Sequence, residues 1–272
     1  MFDSPRISGF QRSHGQARIV LGPRGVVDLA QSGSAKAMLP RMAAGLPEIV
    51  FLNTSGGLAS DDRLEYGVEL RPRTRALATT QTAERAYRAD GGPARAHVSL
   101  TIGRDGWLDW LPQETILFDG AALDRVTEVD LAPGAGCLLL EMIVLGRLAM
   151  GEHLSHLHLR DRRVVRREGR ILHHDALALD DAGLRRLDGP AMLGGAKAVA
   201  TLAMIAPHAP DLLTRARDML DEPGVTSAAS APPGRWLCGF WPGMAGRCGG
   251  RSTGCSRHCA PIPFHVSGRS DP

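Results

Sequence analysis

Short apolar runs broken by Gly, Pro and Asp recur along most of the chain. Ala17–Leu21, Glu48–Leu52, Arg75–Thr79, Ala96–Ile102 and Leu138–Leu145 are rich in Val, Ile, Leu and Thr and are bounded by turn residues, which predicts β-strands. His153–Leu159 alternates, with Leu157 and Leu159 on one face and His156 and His158 on the other. Arg162–Leu172 predicts a hairpin, Val164–Arg166 and Arg170–Leu172 flanking a Glu168-Gly169 turn. In Trp107–Ala121, Leu108 and Trp110 alternate with Asp109, Pro112 interrupts, Ile116–Phe118 resume the strand pattern, and Asp119-Gly120 makes a turn. Helical spacing is rare. Asp180–Leu187 predicts one short helix, and Ala209–Leu220 a second with Leu212, Leu213, Ala216 and Leu220 on one face. No βαβ rhythm and no internal repeat is visible. The predicted fold is mainly β: layered antiparallel β-sheets, sandwich-like, with a few peripheral helices.

Composition narrows the function classes. The 272 residues are 43% hydrophobic, enough for a sizeable core. No apolar run of about 18 residues is present, so no helical membrane span is expected. Residues Met1 to Gly15 are polar, which predicts no secretory signal and a cytoplasmic protein. Lys36 and Lys197 are the only lysines; every other cation is Arg. The net charge of +3 is concentrated late: from Arg235 onward five Arg stand against the single acid Asp271. The body is therefore near neutral and gives no support to a nucleic-acid or anionic-membrane partner.

Several clusters invite chemistry. Gly56-Gly57 followed by Asp61-Asp62 resembles a phosphate or Mg²⁺ cradle, although two glycines without a lysine or helix start ordinarily make a turn. His153, His156 and His158 crowd one strand and His173-His174 follow; in a paired hairpin, His156, His158 and one of the later pair would share a face and bind a transition metal. Asp61, Asp62 and the His153–His158 strand together suggest an alternative function, a metal-dependent hydrolase. Cys137 is alone in the body, whereas Cys238, Cys248, Cys255 and Cys259 lie in the tail with His258, without the Cys-x-x-Cys knuckle of a zinc module.

Five segments, in order, resemble the UreD (UreH) family of urease accessory proteins. They are Leu52–Arg63 (LNTSGGLASDDR), Thr79–Arg88 (TTQTAERAYR), the LPQETILFDGA stretch ending at Ala121, Leu145–Glu152 (LGRLAMGE) and Leu193–Ala206 (LGGAKAVATLAMIA). The resemblance spans about residues 16–231. One departure is Ala59-Ser60-Asp61, where the family usually has Gly before Asp62. The resemblance implies a β-rich, non-enzymatic scaffold that binds urease apoprotein and UreF, with the GTPase UreG recruited through UreF and nickel supplied by UreE. It implies no tightly bound cofactor; nickel would pass transiently. No Gly-Lys-Ser/Thr phosphate loop is present in this chain, so GTP hydrolysis is expected of UreG alone. Asp62, Glu84, Glu114, Asp119, Glu141 and Glu152 fall in or beside the motifs. Oxygen ligands hold Ni²⁺ more loosely than thiolates or several imidazoles, which makes these acids candidates for a transient nickel path.

The expected division is a UreD-like scaffold over residues 1–231 and an atypical tail over 232–272. Ala228–Gly234 reads as a loop, and the residues after it show no sustained periodicity. The family ends in an amphipathic helix and a Leu-Pro-Arg-like segment; this tail does not. Its Trp, Cys and Phe codons begin with T, and a reading two bases later moves that T to the middle position, which encodes apolar residues. Back-translation from Trp236 in that frame restores a helical apolar period. The tail is therefore expected to be disordered, or to be a frameshifted reading from about Arg235.

Overall fold

A computed structural model describes residues 12–41, 45–189, 192–219 and 225–242. The chain shuttles between two sheets. β1 (His14–Gly22) and β2 (Gly25–Gly33) form a hairpin in the first sheet, and β3 (Ala35–Met38) and β4 (Glu48–Asn53) a hairpin in the second. β5 (Arg63–Leu70) returns to the first sheet; β6 (Arg75–Thr80) and β7 (Glu84–Ala86) go to the second. β8 (Ala94–Ile102) and β11 (Ala121–Leu131) belong to the first, β9 (Trp107–Trp110), β10 (Thr115–Leu117) and β12 (Gly136–Leu145) to the second. β13 (Leu157–Arg167) and β14 (Arg170–Asp180) close the first sheet, and β15 (Ala198–Ile205), β16 (Val225–Ser230) and β17 (Arg235–Pro242) complete the second.

The mainly β class and the scarcity of helix agree with the sequence, but the strand direction does not. β1, β5, β8, β11 and β13 run parallel to their neighbours, as do β4, β6, β9 and β12. Antiparallel pairing is confined to the margins, in β1–β2, β3–β4, β13–β14 and β12–β15–β17–β16. The molecule is solenoid-like rather than an antiparallel sandwich. Each coil lays one strand on each sheet, so successive coils stack in the same direction. Period-2 alternation marks which face is buried and carries no information on direction. The coils also differ in length, their first-sheet strands starting at Arg63, Ala94, Ala121 and Leu157, which hides the repeat from the sequence.

The core lies between the sheets. Inward residues such as Ile19, Leu70, Leu100, Leu108, Leu123 and Leu159 are fully buried, and Phe51 packs on Tyr66 and Trp110 at centroid distances of 4.5 and 5.9 Å. The hairpin turn is as predicted: Glu168 and Gly169 both have positive φ, 49° and 77°, the geometry of a two-residue hairpin turn. The hairpin itself is longer, and His153–His156 precede it rather than forming strand. The helix expected over Asp180–Leu187 shrinks to α1 (Asp181–Leu184), capped by Asp180, which accepts from Gly183 N at 2.8 Å. That expected over Ala209–Leu220 becomes a 3₁₀ turn, Ala209–Leu212, followed by α2 (Leu213–Met219).

The tail reading needs correction up to residue 242. Of the loop expected over Ala228–Gly234, residues 228–230 belong to the strand Val225–Ser230, while 231–234 form the turn into Arg235–Pro242, the next strand of the same sheet. Trp236 and Cys238 are buried in a second small core with Leu138, Leu202, Met204 and Ala209, and Trp236 Nε1 donates to Met204 Sδ at 3.0 Å. The missed signal is the alternation Trp236, Cys238, Phe240. Cys248, Cys255, His258 and Cys259 lie outside the described residues.

Candidate functional site

The motif segments meet at one end of the coils. β7 pairs with β10, and β10 with β12. The bridges Leu58–Ala86 and Arg88–Ala121 tie the loop before β5 and the start of β11 to the segment around β7. Gly57, at φ 155°, lets the 53–62 loop pass under Tyr87: a Cβ there would lie 2.4 Å from the Tyr87 ring. Tyr87 donates to Gly56 O (3.1 Å) and meets Phe118 edge-on at 4.9 Å, and the Arg147 guanidinium lies 4.7 Å over the Phe118 ring. Beside them Met150 is 74% exposed. Asp61 takes the left-handed conformation, φ 59°, accepting from Gly92 N at 3.2 Å.

The six predicted acids divide into three settings. Asp62 is buried and accepts from Ser13 N (2.6 Å) and Ala59 N (2.8 Å), a loop-closing role. Asp119 and Glu152 form one surface network. Asp119 accepts from Ser155 N (2.7 Å) and His156 N (3.0 Å) and pairs with Arg88; the two backbone donors hold its carboxyl below the usual range. Glu152 binds Arg147 at 3.0 Å and accepts from Asp119 N, and the Arg147 bond pulls its carboxyl down. Glu84, Glu114 and Glu141 lie in or beside the second sheet. Glu84 accepts from Asn53 Nδ2 (3.2 Å) and Arg85 N, yet burial lifts its carboxyl above the usual value. Half-buried Glu114 contributes its backbone carbonyl, which accepts from Glu84 N at 2.9 Å.

Glu141 belongs to an ionic cluster between the sheets that the sequence reading missed. Arg125 donates to Asp161 through Nε (3.0 Å) and Nη2 (2.9 Å) and to Thr115 Oγ1 through Nη1 (2.8 Å). Its Nη1 also lies 2.6 Å from Glu141 Oε1, so one guanidinium joins two sheets, although that Glu141 oxygen gains no well-aligned hydrogen bond. Arg163 follows, 3.5 Å from Asp161 and 3.0 Å from Asp175, and donates to Thr201 Oγ1. Burial pushes the Glu141 carboxyl up to about 7 against the pull of Arg125. Burial opposes the Asp161 charge too, but Arg125 and its bidentate bonds win and hold that carboxyl low. His173, buried nearby, is pulled below the usual imidazole range by desolvation. The missed signal was available: Arg125 and Thr127 occupy inward positions of the alternation Leu123, Arg125, Thr127, Val129, and Asp161 and Arg163 those of Leu157, Leu159, Asp161, Arg163, Val165.

The histidines do not converge. β13 and β14 pair Val165 with His173 and His158 with Asp180, so the two histidine groups sit at opposite ends of the hairpin. His156 instead binds Asp181 and His158 binds Asp124, each at 2.9 Å. Asp61-Asp62 and His158 lie at one level of the first sheet but three strand spacings apart, about 14 Å, too far to share an ion. Among the described residues no group of three His, Cys, Asp or Glu is arranged to hold a metal ion. This geometry gives no support to the metal-dependent hydrolase.

Comparison with known proteins agrees with the motif assembly. Residues 13–259 match the family described as UreD urease accessory protein, a span that runs past residue 231 into the tail. A urease accessory protein UreD of Paracoccus denitrificans is 72% identical over 237 residues, 87% of this chain and 85% of that protein. One from Cereibacter sphaeroides is 57% identical over 231 residues, 84% of each chain, and one from Dinoroseobacter shibae 48% over 237 residues, 85% of this chain and 82% of that one. With most of its length matched, and at these identities, the chain belongs to the UreD family of urease accessory proteins.

Proposed function

We propose that this chain is a cytoplasmic, non-catalytic scaffold that binds urease apoprotein and, with UreF and through it UreG, supports nickel insertion into the urease metallocentre. Family membership carries the reading. The clustering of the motif segments supports it: Tyr87, Phe118, Arg147 and exposed Met150 offer aromatic, Met and Arg groups, the side chains enriched where proteins bind each other.

Nickel is cargo in this reading. Asp62, Glu84, Glu114, Asp119, Glu141 and Glu152 are its proposed oxygen ligands in passing. Ligation requires the carboxylate anion, so at Glu84 and Glu141 the burial that raises both carboxyls has to be offset by the arriving cation. The test of the scaffold is a pull-down of the full chain with UreF from the same organism, alongside a GTPase assay of the chain alone. Stable UreF binding without GTP turnover is expected; turnover, or failure to bind UreF, overturns the reading.

A further inference from the structure

Arginine recurs in the turns that follow the strands of the first sheet. Pro23-Arg24 follows β1, residues 71–74 follow β5, 103–106 follow β8, 132–135 follow β11, and Glu168-Gly169 follows β13. Because β1, β5, β8, β11 and β13 are parallel, these turns lie side by side at one end of the coils, opposite the end where the motif segments meet. Hydrogen bonds stitch them together. Arg71 N donates to Leu21 O at 2.8 Å, Arg73 N to Arg104 O at 2.8 Å, Asp105 N to Pro133 O at 3.2 Å, and Arg167 Nη2 to Ala135 O at 2.8 Å. The result is a fixed row in which Arg24, Arg71, Arg73, Arg104, Arg167 and Arg170 stand against Asp105 and Glu168. Arg71 pairs with Glu69 at 3.3 Å. Arg24, Arg73, Arg104 and Arg170 are exposed and enter no ion pair among the described residues.

We propose that this row is a docking surface for an extended acidic protein segment, laid across the strand ends from β1 to β13. Four strand spacings separate those two strands, about 19 Å, which an extended chain covers in about six residues. Guanidinium forks bind carboxylates through paired N–H donors, and turns already held by backbone bonds need no ordering when the partner arrives. Charge and chemistry argue against the other occupants. The chain's own tail cannot neutralise the row, because Arg247, Arg251, Arg257 and Arg269 stand there against Asp271 alone. A second copy joined row to row would set Arg against Arg. A single-stranded nucleic acid stacks its bases on aromatic rings, and these turns hold none. Asp105 and Glu168 also interrupt the row; carboxylates spaced along a peptide avoid them, whereas a continuous phosphate chain meets them.

Fluorescence anisotropy with the full chain tests this, and the outcome does not depend on any urease role. The probes are a short labelled peptide of alternating Glu and Gly, its Gln counterpart, and a single-stranded RNA of equal charge. The Glu peptide is expected to bind, more weakly as salt rises, and the Gln peptide is not. Arg24→Glu with Arg104→Glu is expected to weaken Glu-peptide binding about tenfold, with an unchanged circular dichroism spectrum, since both side chains are exposed. Arg24→Gln with Arg104→Gln, which removes the charges without reversing them, is expected to give a smaller loss. Arg63→Glu with Arg95→Glu makes the same charge change at the starts of β5 and β8, the other end of the coils, and is expected to leave binding unchanged. No preference for the Glu over the Gln peptide, equal losses in the two reversal variants, or tighter binding of the RNA than of the Glu peptide overturns the proposal.

Discussion

Arg125 holds two buried carboxylates from different sheets, and the consequences of altering it follow from which charge is left alone. Arg125→Met strands Asp161 and Glu141 without their shared cation and is expected to cost about 3–5 kcal/mol, measurable by urea denaturation. Glu141→Gln has a different signature. The folded carboxyl titrates near 7 against an ordinary value of 4.5, so the folded state prefers the protonated form. Its stabilising contribution is complete below about 4.5 and is lost as pH rises through about 7. Stability of the wild type relative to Glu141→Gln should therefore fall between pH 5 and pH 8, and denaturant melts at those two values check the sign. The same substitution, with Glu84→Gln and Glu114→Gln, tests the nickel reading. Loss of urease activation in cells with UreF binding intact is expected for at least one of the three; normal activation by all three variants removes these acids from the path.

Among the elements, β17 separates the body from the tail more sharply than composition did. Trp236 is 7% exposed and fills the space between Met204 and the helical segment that starts at Ala209. Trp236→Ala is expected to destabilise the fold by about 3–5 kcal/mol, as for other buried aromatic truncations, and a thermal melt that barely moves would show that β17 is dispensable. The 53–62 loop depends on Gly57 in the same direct way. Gly57→Ala drives a methyl against Tyr87 and the Arg85 carbonyl (2.7 Å), in a backbone region few side chains adopt. A loss of about 2–3 kcal/mol is expected, with weakened protection of the Tyr87 amide, which donates to Leu58 O, in hydrogen exchange.

For the whole molecule, the outer faces differ in kind. The first sheet turns a charged ladder outward, with Arg18 on Glu69, His97 and Arg166 on Glu128, and His158 on Asp124. The second turns Trp236, Met204 and Leu202 outward and covers them with α2 and the turn before it. β17 places Trp236 and Cys238 in the small core, in register with Met204 and Leu202 of β15. A frame shifted from about Arg235 remains our proposal for the tail. Sequencing the 3′ end of the gene decides it: an inserted or deleted base is expected, and an uninterrupted frame removes the idea.

The sequence alone determined the mainly β class, the scarcity of helix, the Glu168-Gly169 turn and the inward facing of Leu157 and Leu159, because alternation, turn residues and helical spacing are properties of neighbours in the chain. It also determined the family, since the motifs are linear segments. Tertiary structure decided the rest. Parallel stacking of unequal coils, the separation of His158 from His173, and the meeting of Arg125, Glu141 and Asp161 all depend on which strand lies beside or across from which. The six motif acids look alike in the sequence. Only the fold gives Asp119 and Glu152 to a surface network, Asp62 to a loop, and Glu141 to a buried guanidinium, because burial and charge partners, not residue type, set what a carboxylate can do.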